Sequence, residues 1–193
     1  MVFIIRLCYN HFIGCLNHFH KRKVVSAVAL TIVMDRDKLD MDLIRTADDS
    51  IPRVMRYINT CIPFVGLDND KAEAICLVEA KPELHDIVIH AISHEGEGNG
   101  YEKEMLLYVL EYLRQNGVRW VEIGCGNACM ESMELYQKVG FRFIGVWPDY
   151  YMGDSKIAVV KKSIINRDMV RMRADLNEKK LATTGYDASG RTK

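Results

Sequence analysis

Apolar residues recur along this chain at two spacings, one typical of strands and one typical of helices, and the spacing changes at turn residues. Residues 87–92 form an apolar run of the strand type, which leads into Gly96, Gly98 and Gly100. Over residues 101–113 the apolar positions follow helical spacing. The pattern predicts a strand, a glycine-rich loop and a helix in direct succession.

The segments before this unit are shorter. Residues 42–45 are predicted as a short strand, and Ser50 as the cap of a helix over residues 51–58. Residues 62–67 and 72–78 flank a polar Asp-Asn-Asp turn, which predicts an antiparallel hairpin.

The segments after the long helix alternate in the same way. Residues 118–123 are predicted as a strand, and a helix with Tyr136 on its apolar face follows. Residues 141–147 are predicted as a returning strand, and residues 157–160 and 169–172 as weaker strand candidates. This alternation predicts one α/β domain.

The two ends of the chain differ from this ordered middle. The opening segment offers no uninterrupted apolar span of the roughly 20 residues that a membrane helix needs, and it lacks a signal-peptide cleavage motif. We interpret residues 1–38 as an N-terminal extension of uncertain authenticity, with Met34 or Met41 as the true start. Residues 39–178 are then the folded domain, and the polar residues 179–193 a disordered tail.

Composition narrows the classes of function. The chain has 26 basic and 26 acidic residues, so its formal net charge is zero, and neither nucleic acid nor an anionic membrane is expected as a partner. Its six cysteines show no CxxC pair and no spacing typical of a zinc site. Reduced thiols in the cytoplasm and no metal cofactor are therefore expected.

The glycine loop is the first candidate site. Glycine permits positive φ, and the free N–H groups at a helix start attract anions, so a phosphate or pyrophosphate can bind there. The alternative interpretation is a plain strand-to-helix turn.

Three stretches of the chain resemble the Gcn5-related N-acetyltransferases (GNAT superfamily), and in particular a small, uncharacterised bacterial subgroup. They are HAISHEGEGNGYEKEML (residues 90–106), VEIGCGNACMESMELYQKVGFRFIG (residues 121–145) and, more loosely, INRDMVRM (residues 165–172). The resemblance implies the α/β GNAT fold, a mixed and mostly antiparallel sheet with splayed central parallel strands, flanked by helices. It also implies direct transfer of an acetyl group from acetyl-CoA to a primary amine, and a homodimer formed through late strands.

The resemblance further implies which residues bind acetyl-CoA. The family motif Q/R-x-x-G-x-G/A matches residues 97–102 with Gly100 as its first glycine, or residues 95–100 in an alternative register. The expected contacts are His90, Ala91, Ile92, Glu97, Gly98, Asn99, Gly100, Tyr101, Glu102, Lys103, Asn127 and Tyr136.

Two of these residues depart from the family motif. Glu97 stands where Gln or Arg is usual and Glu102 where Gly or Ala is usual, which brings two carboxylates close to a pyrophosphate. Lys103 offsets part of this charge. The alternative function is therefore a non-catalytic acyl-CoA-binding module that acts as a sensor or partner subunit.

The resemblance assigns Tyr136 as the general acid that protonates the departing thiolate; the alternative is core packing. Asn127 matches an asparagine that contacts pantetheine, and its alternative is a helix N-cap. An irregularity of the central strand near His90 is expected to free an oxyanion donor. Glu122, acting through water, is the first candidate for the base, followed by His90 and Asp86.

The sequence leaves the acceptor open. The Trp-Pro-Asp-Tyr-Tyr segment at residues 147–151 either lines the acceptor pocket or packs on the sheet edge. A small metabolite, an antibiotic, a polyamine and a protein N-terminus all fit, as does an acyl group longer than acetyl. Cys125 and Cys129 are expected to be inert thiols.

Overall fold

The computed structural model describes residues 30–48, 50–82, 84–152, 160–161 and 163–178. The predictions for residues 1–29 of the extension, for most of the weak strand at 157–160 and for the tail at 179–193 lie outside the described residues.

The described residues form a mixed sheet with helices on both faces. The helices are α1 (Met41–Ala47), α2 (Ile51–Tyr57), α3 (Tyr101–Gln115) and α4 (Met130–Lys138), with a 3₁₀ turn at Arg36–Lys38. The strands are β1 (Thr31–Val33), β2 (Ile62–Asp68), β3 (Lys71–Ala80), β4 (His85–Ile92), β5 (Trp120–Gly126), β6 (Arg142–Trp147), β7 (Val160–Lys161), β8 (Ile164–Ile165) and β9 (Met169–Asp175). The predicted hairpin is thus β2–β3, and the predicted strand, glycine loop and helix are β4, its following loop and α3.

Seven strands make up the sheet, in the order β1-β2-β3-β4-β5-β9-β6, and β7 and β8 form a separate hairpin. Every neighbouring pair is antiparallel except β4 and β5. The prediction of a mixed, mostly antiparallel sheet with central parallel strands is therefore confirmed.

Alternate residues of the strands point to opposite faces and build two cores. Phe64 of β2 packs against Tyr108 and Tyr112 of α3, in a cluster that also includes Tyr136 of α4. The next residue, Val65, packs on the other face, in a cluster that includes Ile44 of α1 and Val54 of α2.

The sheet begins earlier in the chain than residue 39. Thr31–Val33 pair with Leu67, Gly66 and Val65 of β2, and Leu30 and Ile32 are buried in the core. Arg36 Nη2 donates to the Cys61 carbonyl at 2.8 Å. Residues 30–38 are thus part of the domain and not of the predicted extension. The prediction was wrong at this boundary because a short edge strand within an apolar run resembles a leader peptide in sequence.

The strand predicted at residues 42–45 is wrong, because these residues lie in α1. The Asp40 carboxylate caps this helix by accepting from the backbone N–H groups of Asp42 at 2.8 Å and Leu43 at 3.1 Å. The helix predicted after Ser50 is present as α2, although the Ser50 side chain makes no capping hydrogen bond.

The two parallel strands separate soon after they meet. β4 and β5 pair at three positions, which join His85, Asp86 and Ile87 to Val121, Glu122 and Ile123. β4 then continues to residue 92 and β5 to residue 126 without pairing with each other. A V-shaped opening therefore lies between them, as the resemblance implied.

Candidate active site

The V exposes one edge of β4. Beyond residue 87, β4 keeps β3 as a partner, with His90, Ala91 and Ile92 opposite Cys76, Ile75 and Ala74. Among the described strands none pairs with its other edge, so backbone groups there are open to a ligand. β4 is irregular at Val88: Ile87 pairs with Val78 and Ile89 with Leu77, so Val88 has no partner on β3. The irregularity lies two residues before His90, where it was predicted.

The glycine loop ends at the start of α3, beside the V. Gly98 and Gly100 adopt positive φ of 78° and 83°, and Gly100 is the N-cap residue of the helix. The N–H groups in the first turn of this helix have no partner within it, and they form the anion-binding end of its dipole. In the register with Gly100 as first glycine, the resemblance implies a buried apolar pair at Met105 and Leu106. Both residues are fully buried, which supports this register.

The loop is tied to the β2–β3 hairpin by side chains that the sequence analysis did not single out. The Tyr101 hydroxyl donates to Asp68 Oδ2 at 2.9 Å. The Ser93 N–H donates to the Glu73 carbonyl at 2.9 Å, and its hydroxyl donates to the Glu73 carboxylate, which is 6% exposed. These bonds hold the loop in one conformation before any ligand arrives. Asp68 and Glu73 lie more than 15 residues before the loop in the sequence, so no local pattern indicated that they bind it.

The two loop carboxylates are close enough to influence each other. Burial raises the pKa of Glu102, and the charge of Glu97 raises it further. Glu97 itself lies 3.4 Å from His94 Nδ1, and Lys103 is exposed. Both carboxyl groups lie beside the N-terminus of α3, where a negative charge on either repels a bound anion.

Tyr136 and His90 face each other across the V. Their ring centroids lie 6.0 Å apart, and Tyr136 is 5% exposed. Burial raises the pKa of Tyr136, so its hydroxyl stays protonated and able to donate. Burial lowers the pKa of His90 to about 4, and its Nε2 atom is buried without a hydrogen-bond partner. The V thus holds a neutral tyrosine beside a neutral imidazole.

Asn127 follows β5 directly and binds the segment that precedes β9. Its Oδ1 accepts from the N–H groups of Arg167 at 2.8 Å and Asp168 at 2.9 Å, and its Nδ2 donates to the Ile165 carbonyl at 3.0 Å. The predicted N-cap role is wrong, because the N-cap residue of α4 is Cys129. One N–H of the Asn127 amide remains for a ligand, so the pantetheine contact stays a prediction.

Glu122, the first candidate for the base, lies in a buried ion-pair cluster. Arg171 Nη2 lies 2.8 Å from Glu122 Oε2, and Arg173 Nε lies 2.8 Å from Oε1. Burial alone would raise the pKa of Glu122, but the hydrogen bonds and charges of the two arginines outweigh it and lower the pKa. A carboxylate with a lowered pKa is a weak base, so this geometry argues against the predicted role.

Asp86 belongs to the same cluster. Its Oδ1 accepts from Arg171 at 2.9 Å and its Oδ2 from Lys81 at 3.4 Å. Both carboxylates that the sequence analysis considered as bases are therefore engaged by cations.

The aromatic segment after β6 lies beside this cluster. The Arg171 guanidinium carbon lies 4.7 Å from the Trp147 ring centroid, and the Trp147 and Tyr150 centroids are 5.8 Å apart. Trp147 and Tyr150 are 48% and 36% exposed, so their rings are open to a ligand. The Asp149 N–H donates to Asp168 Oδ1 at 2.8 Å, which fixes the segment to the one that Asn127 holds.

The described cysteines form no disulfide with one another. Burial, with a smaller contribution from the nearby Cys129, raises the pKa of Cys125 to about 12. Within the described ranges, no three His, Cys, Asp or Glu side chains converge as metal ligands, and no helix is long and apolar enough to cross a membrane.

Known proteins with similar sequence and structure are acetyltransferases. The uncharacterized N-acetyltransferase YvbK of Bacillus subtilis (strain 168) is 29% identical over 136 residues, which cover 70% of this chain and 88% of YvbK. No protein-family model matches the chain.

Two solved structures share the architecture. An acetyltransferase of Bacillus subtilis in complex with CoA matches at TM-score 0.66 and 27% identity, over 69% of this chain and 89% of that one. A GNAT family acetyltransferase from Elizabethkingia anophelis with acetyl-CoA bound matches at TM-score 0.72 and 19% identity, over 77% of this chain and 99% of that one. At 19% identity, the match to the Elizabethkingia anophelis protein shows a shared fold.

Proposed function

This chain belongs to the Gcn5-related N-acetyltransferase (GNAT) superfamily, and on that premise we propose that it transfers an acetyl group from acetyl-CoA to a primary amine. The observation that carries the proposal is the V between β4 and β5, which opens beside a glycine loop at the start of a 15-residue helix. This arrangement offers an anion site and an unpaired strand edge side by side. The related acetyltransferase of Bacillus subtilis was solved with CoA.

Acetyl-CoA lies in the V with its pyrophosphate on the first-turn N–H groups of Tyr101, Glu102 and Lys103. The pantetheine arm and acetyl group follow the open edge of β4, which carries the backbone groups of residues 90–92. Residues 97–100 shape the loop around the phosphates, and Asn127 uses its remaining N–H on pantetheine.

The amine nitrogen attacks the thioester carbon, and a backbone N–H of β4 stabilises the oxyanion that forms. The C–S bond then breaks, and Tyr136 gives its proton to the CoA thiolate. The attacking amine gives up one proton to water, because Glu122 and Asp86 are held in ion pairs with Arg171, and water returns a proton to Tyr136.

Calorimetric titration of the full-length chain with acetyl-CoA tests the first half of the proposal. Micromolar binding is expected, and Glu102→Gly is expected to strengthen it by removing a carboxylate from the phosphate site. Binding without acetylation of any amine would instead indicate the non-catalytic module, and absence of binding by both proteins would overturn the proposal.

A panel of amines tests the second half. Small metabolites, aminoglycoside-type antibiotics, polyamines and peptides with free N-termini are each offered with acetyl-CoA, while release of free CoA is measured. Longer acyl-CoA donors, offered to the same amines, separate acetyl transfer from transfer of longer chains. Acceptor-dependent release of CoA is the supporting result.

We also propose that two copies associate through β6, the edge strand of the sheet. All six residues of β6 are exposed, and four of them are large apolar side chains with exposures from 47% to 54%: Phe143, Ile144, Val146 and Trp147. An exposed apolar edge strand is typical of an interaction surface.

Sedimentation of the full-length chain tests this association. Val146→Lys is expected to shift the chain from dimer to monomer, because it places a charge in the contact. Leu107→Lys on α3, a position 40% exposed, is the matched control and should leave the dimer intact. A monomeric wild-type chain would contradict the proposal.

We place the reaction in the cytoplasm. Cys61, Cys76 and Cys125 form no disulfide, which supports this location because reduced thiols persist in reducing compartments.

A further inference from the structure

Two carboxylates oppose each other where β4 and β5 are paired. Asp86 and Glu122 are Cα partners at the middle of the three paired positions, and they are 6% and 8% exposed. Like charges opposite each other on neighbouring strands destabilise a sheet. The closed end of the V therefore needs a cation that holds the two strands together.

Arg171 of β9 is that cation. Its Nη2 atom lies 2.9 Å from Asp86 Oδ1 and 2.8 Å from Glu122 Oε2. Since β5 lies between β9 and β4, the side chain crosses a whole strand to reach Asp86. It passes Gly124, where an added Cβ would lie 2.6 Å from Met169 Sδ and 3.1 Å from Arg171 Nη1, so a larger residue there would crowd both side chains.

The other cations of the cluster, Lys81 and Arg173, each reach only one of the two carboxylates Asp86 and Glu122. Lys81 reaches Asp86 at 3.4 Å, and Arg173 reaches Glu122 at 2.8 Å. Among the described residues, Arg171 alone contacts both Asp86 and Glu122.

Arg171 also joins the closed end of the V to the aromatic segment. It is 5% exposed, and the Trp147 ring covers its guanidinium at 4.7 Å. Its position is thus fixed from one side by two carboxylates and from the other by an aromatic ring.

We propose that Arg171 is a positioning residue for acetyl transfer, which sets the point where β4 and β5 separate and hence the width of the V. The inference rests on the proposed function. Arg171 touches neither the expected cofactor path nor the reacting atoms, and it acts by holding the open edge of β4 at a fixed distance from β5 and Tyr136. A displacement of about 1 Å at a reacting centre can lower a rate by about 100-fold.

Arg171→Met and Arg173→Met are compared in the full-length chain. Both remove an arginine from Glu122, but only the first removes the link to Asp86. Arg171→Met is expected to lower kcat/KM for acetyl-CoA by about 10- to 100-fold and to weaken acetyl-CoA binding in calorimetry. Arg173, whose side chain is 39% exposed, is expected to change both by about twofold or less. Equal losses in the two variants, or none in the first, would overturn the inference.

The triple variant D86N/E122Q/R171M separates positioning from charge balance. Methionine at position 171 alone leaves two buried carboxylates without their shared cation, which lowers stability, whereas the triple variant removes both negative charges as well. We expect its thermal midpoint to recover while acetyl-CoA binding stays weak. Wild-type binding by the triple variant would show that Arg171 only balances charge. Failure of the wild-type chain itself to bind acetyl-CoA would instead refute the proposed function.

Discussion

The Tyr101 hydroxyl lies 2.9 Å from Asp68 Oδ2, so the first residue of α3 is bound to the last residue of β2. The bond fixes the start of the helix on which the phosphate site is built. Tyr101→Phe removes the bond and keeps the buried ring. We expect a loss of about 1 kcal/mol in the free energy of unfolding and severalfold weaker acetyl-CoA binding.

Urea unfolding and calorimetry check these two effects separately. Tyr112→Phe, on the same helix and partly buried, is the matched control. If Tyr101→Phe binds acetyl-CoA as tightly as the wild type, then this bond does not preorganise the loop.

Tyr136→Phe tests the general acid. The ring stays in the core, so stability and acetyl-CoA affinity should change little. Loss of the proton donor is expected to lower kcat by about 100-fold or more. Stopped-flow detection of CoA release on the best amine of the panel measures the change, and a variant with wild-type kcat would exclude Tyr136 as the acid.

Gly126→Ala should disturb the segment that leads into β9. An added Cβ would lie 1.9 Å from Asn166 Oδ1, so the Asn166 side chain must leave its position beside β5. We expect a loss of about 1 to 3 kcal/mol in the free energy of unfolding, measured in urea. Gly145→Ala is the control, since nothing lies within 4 Å of its added Cβ; equal losses in both variants would contradict the close contact.

Removal of β1 should weaken the domain. A chain that starts at Met34 lacks the buried Leu30 and Ile32, each of which contributes about 1.5 to 3 kcal/mol by burial. It also lacks the hydrogen bond from the Leu30 N–H to Glu104 at 3.2 Å. The thermal unfolding midpoint is compared between a chain that starts at Leu30 and one that starts at Met34. Equal midpoints would show that β1 does not contribute to stability.

Stability should fall in mild acid because of His90. Burial lowers its pKa from 6.5 to about 4. Between these values the unfolded chain binds a proton that the folded chain does not, so the free energy of unfolding decreases as the pH falls through this range. The loss is at most about 3 kcal/mol.

Urea unfolding at several pH values tests this slope. His90→Gln should flatten the decrease between pH 6.5 and about 4. An unchanged slope in the His90 variant would mean that the decrease has another source.

The local sequence pattern correctly predicted those helices and strands whose apolar spacing continues over many residues. The strand, glycine loop and helix at residues 85–115 are predicted because their apolar periods are long and are separated by glycine. α1 was missed because four residues at its centre fit a strand, while the signal for a helix is a single capping side chain, that of Asp40.

Residues of the candidate site could be predicted only where they belong to a single motif that is continuous in sequence. Tyr136 was found because the LYQKVGF motif around it is local in sequence. The cluster around Arg171 was not found, because its members come from β4, β5 and β9 and become neighbours only through the order of the sheet. Glu122 illustrates the difference: its position on β5 was correctly inferred, but the two arginines that bind it lie 49 and 51 residues further along the chain.

The place of β9 between β5 and β6 has a consequence for synthesis of the chain. β6 leaves the ribosome before β9, yet among the described strands β9 is the one that joins it to the sheet. Until residues 169–175 emerge, the growing chain has an unpaired edge on β5 and a detached apolar β6, and Arg171 is absent from the carboxylates of β4 and β5. A prematurely terminated product would thus expose aggregation-prone strands, and it would be a substrate for chaperones and proteases rather than a partly active enzyme.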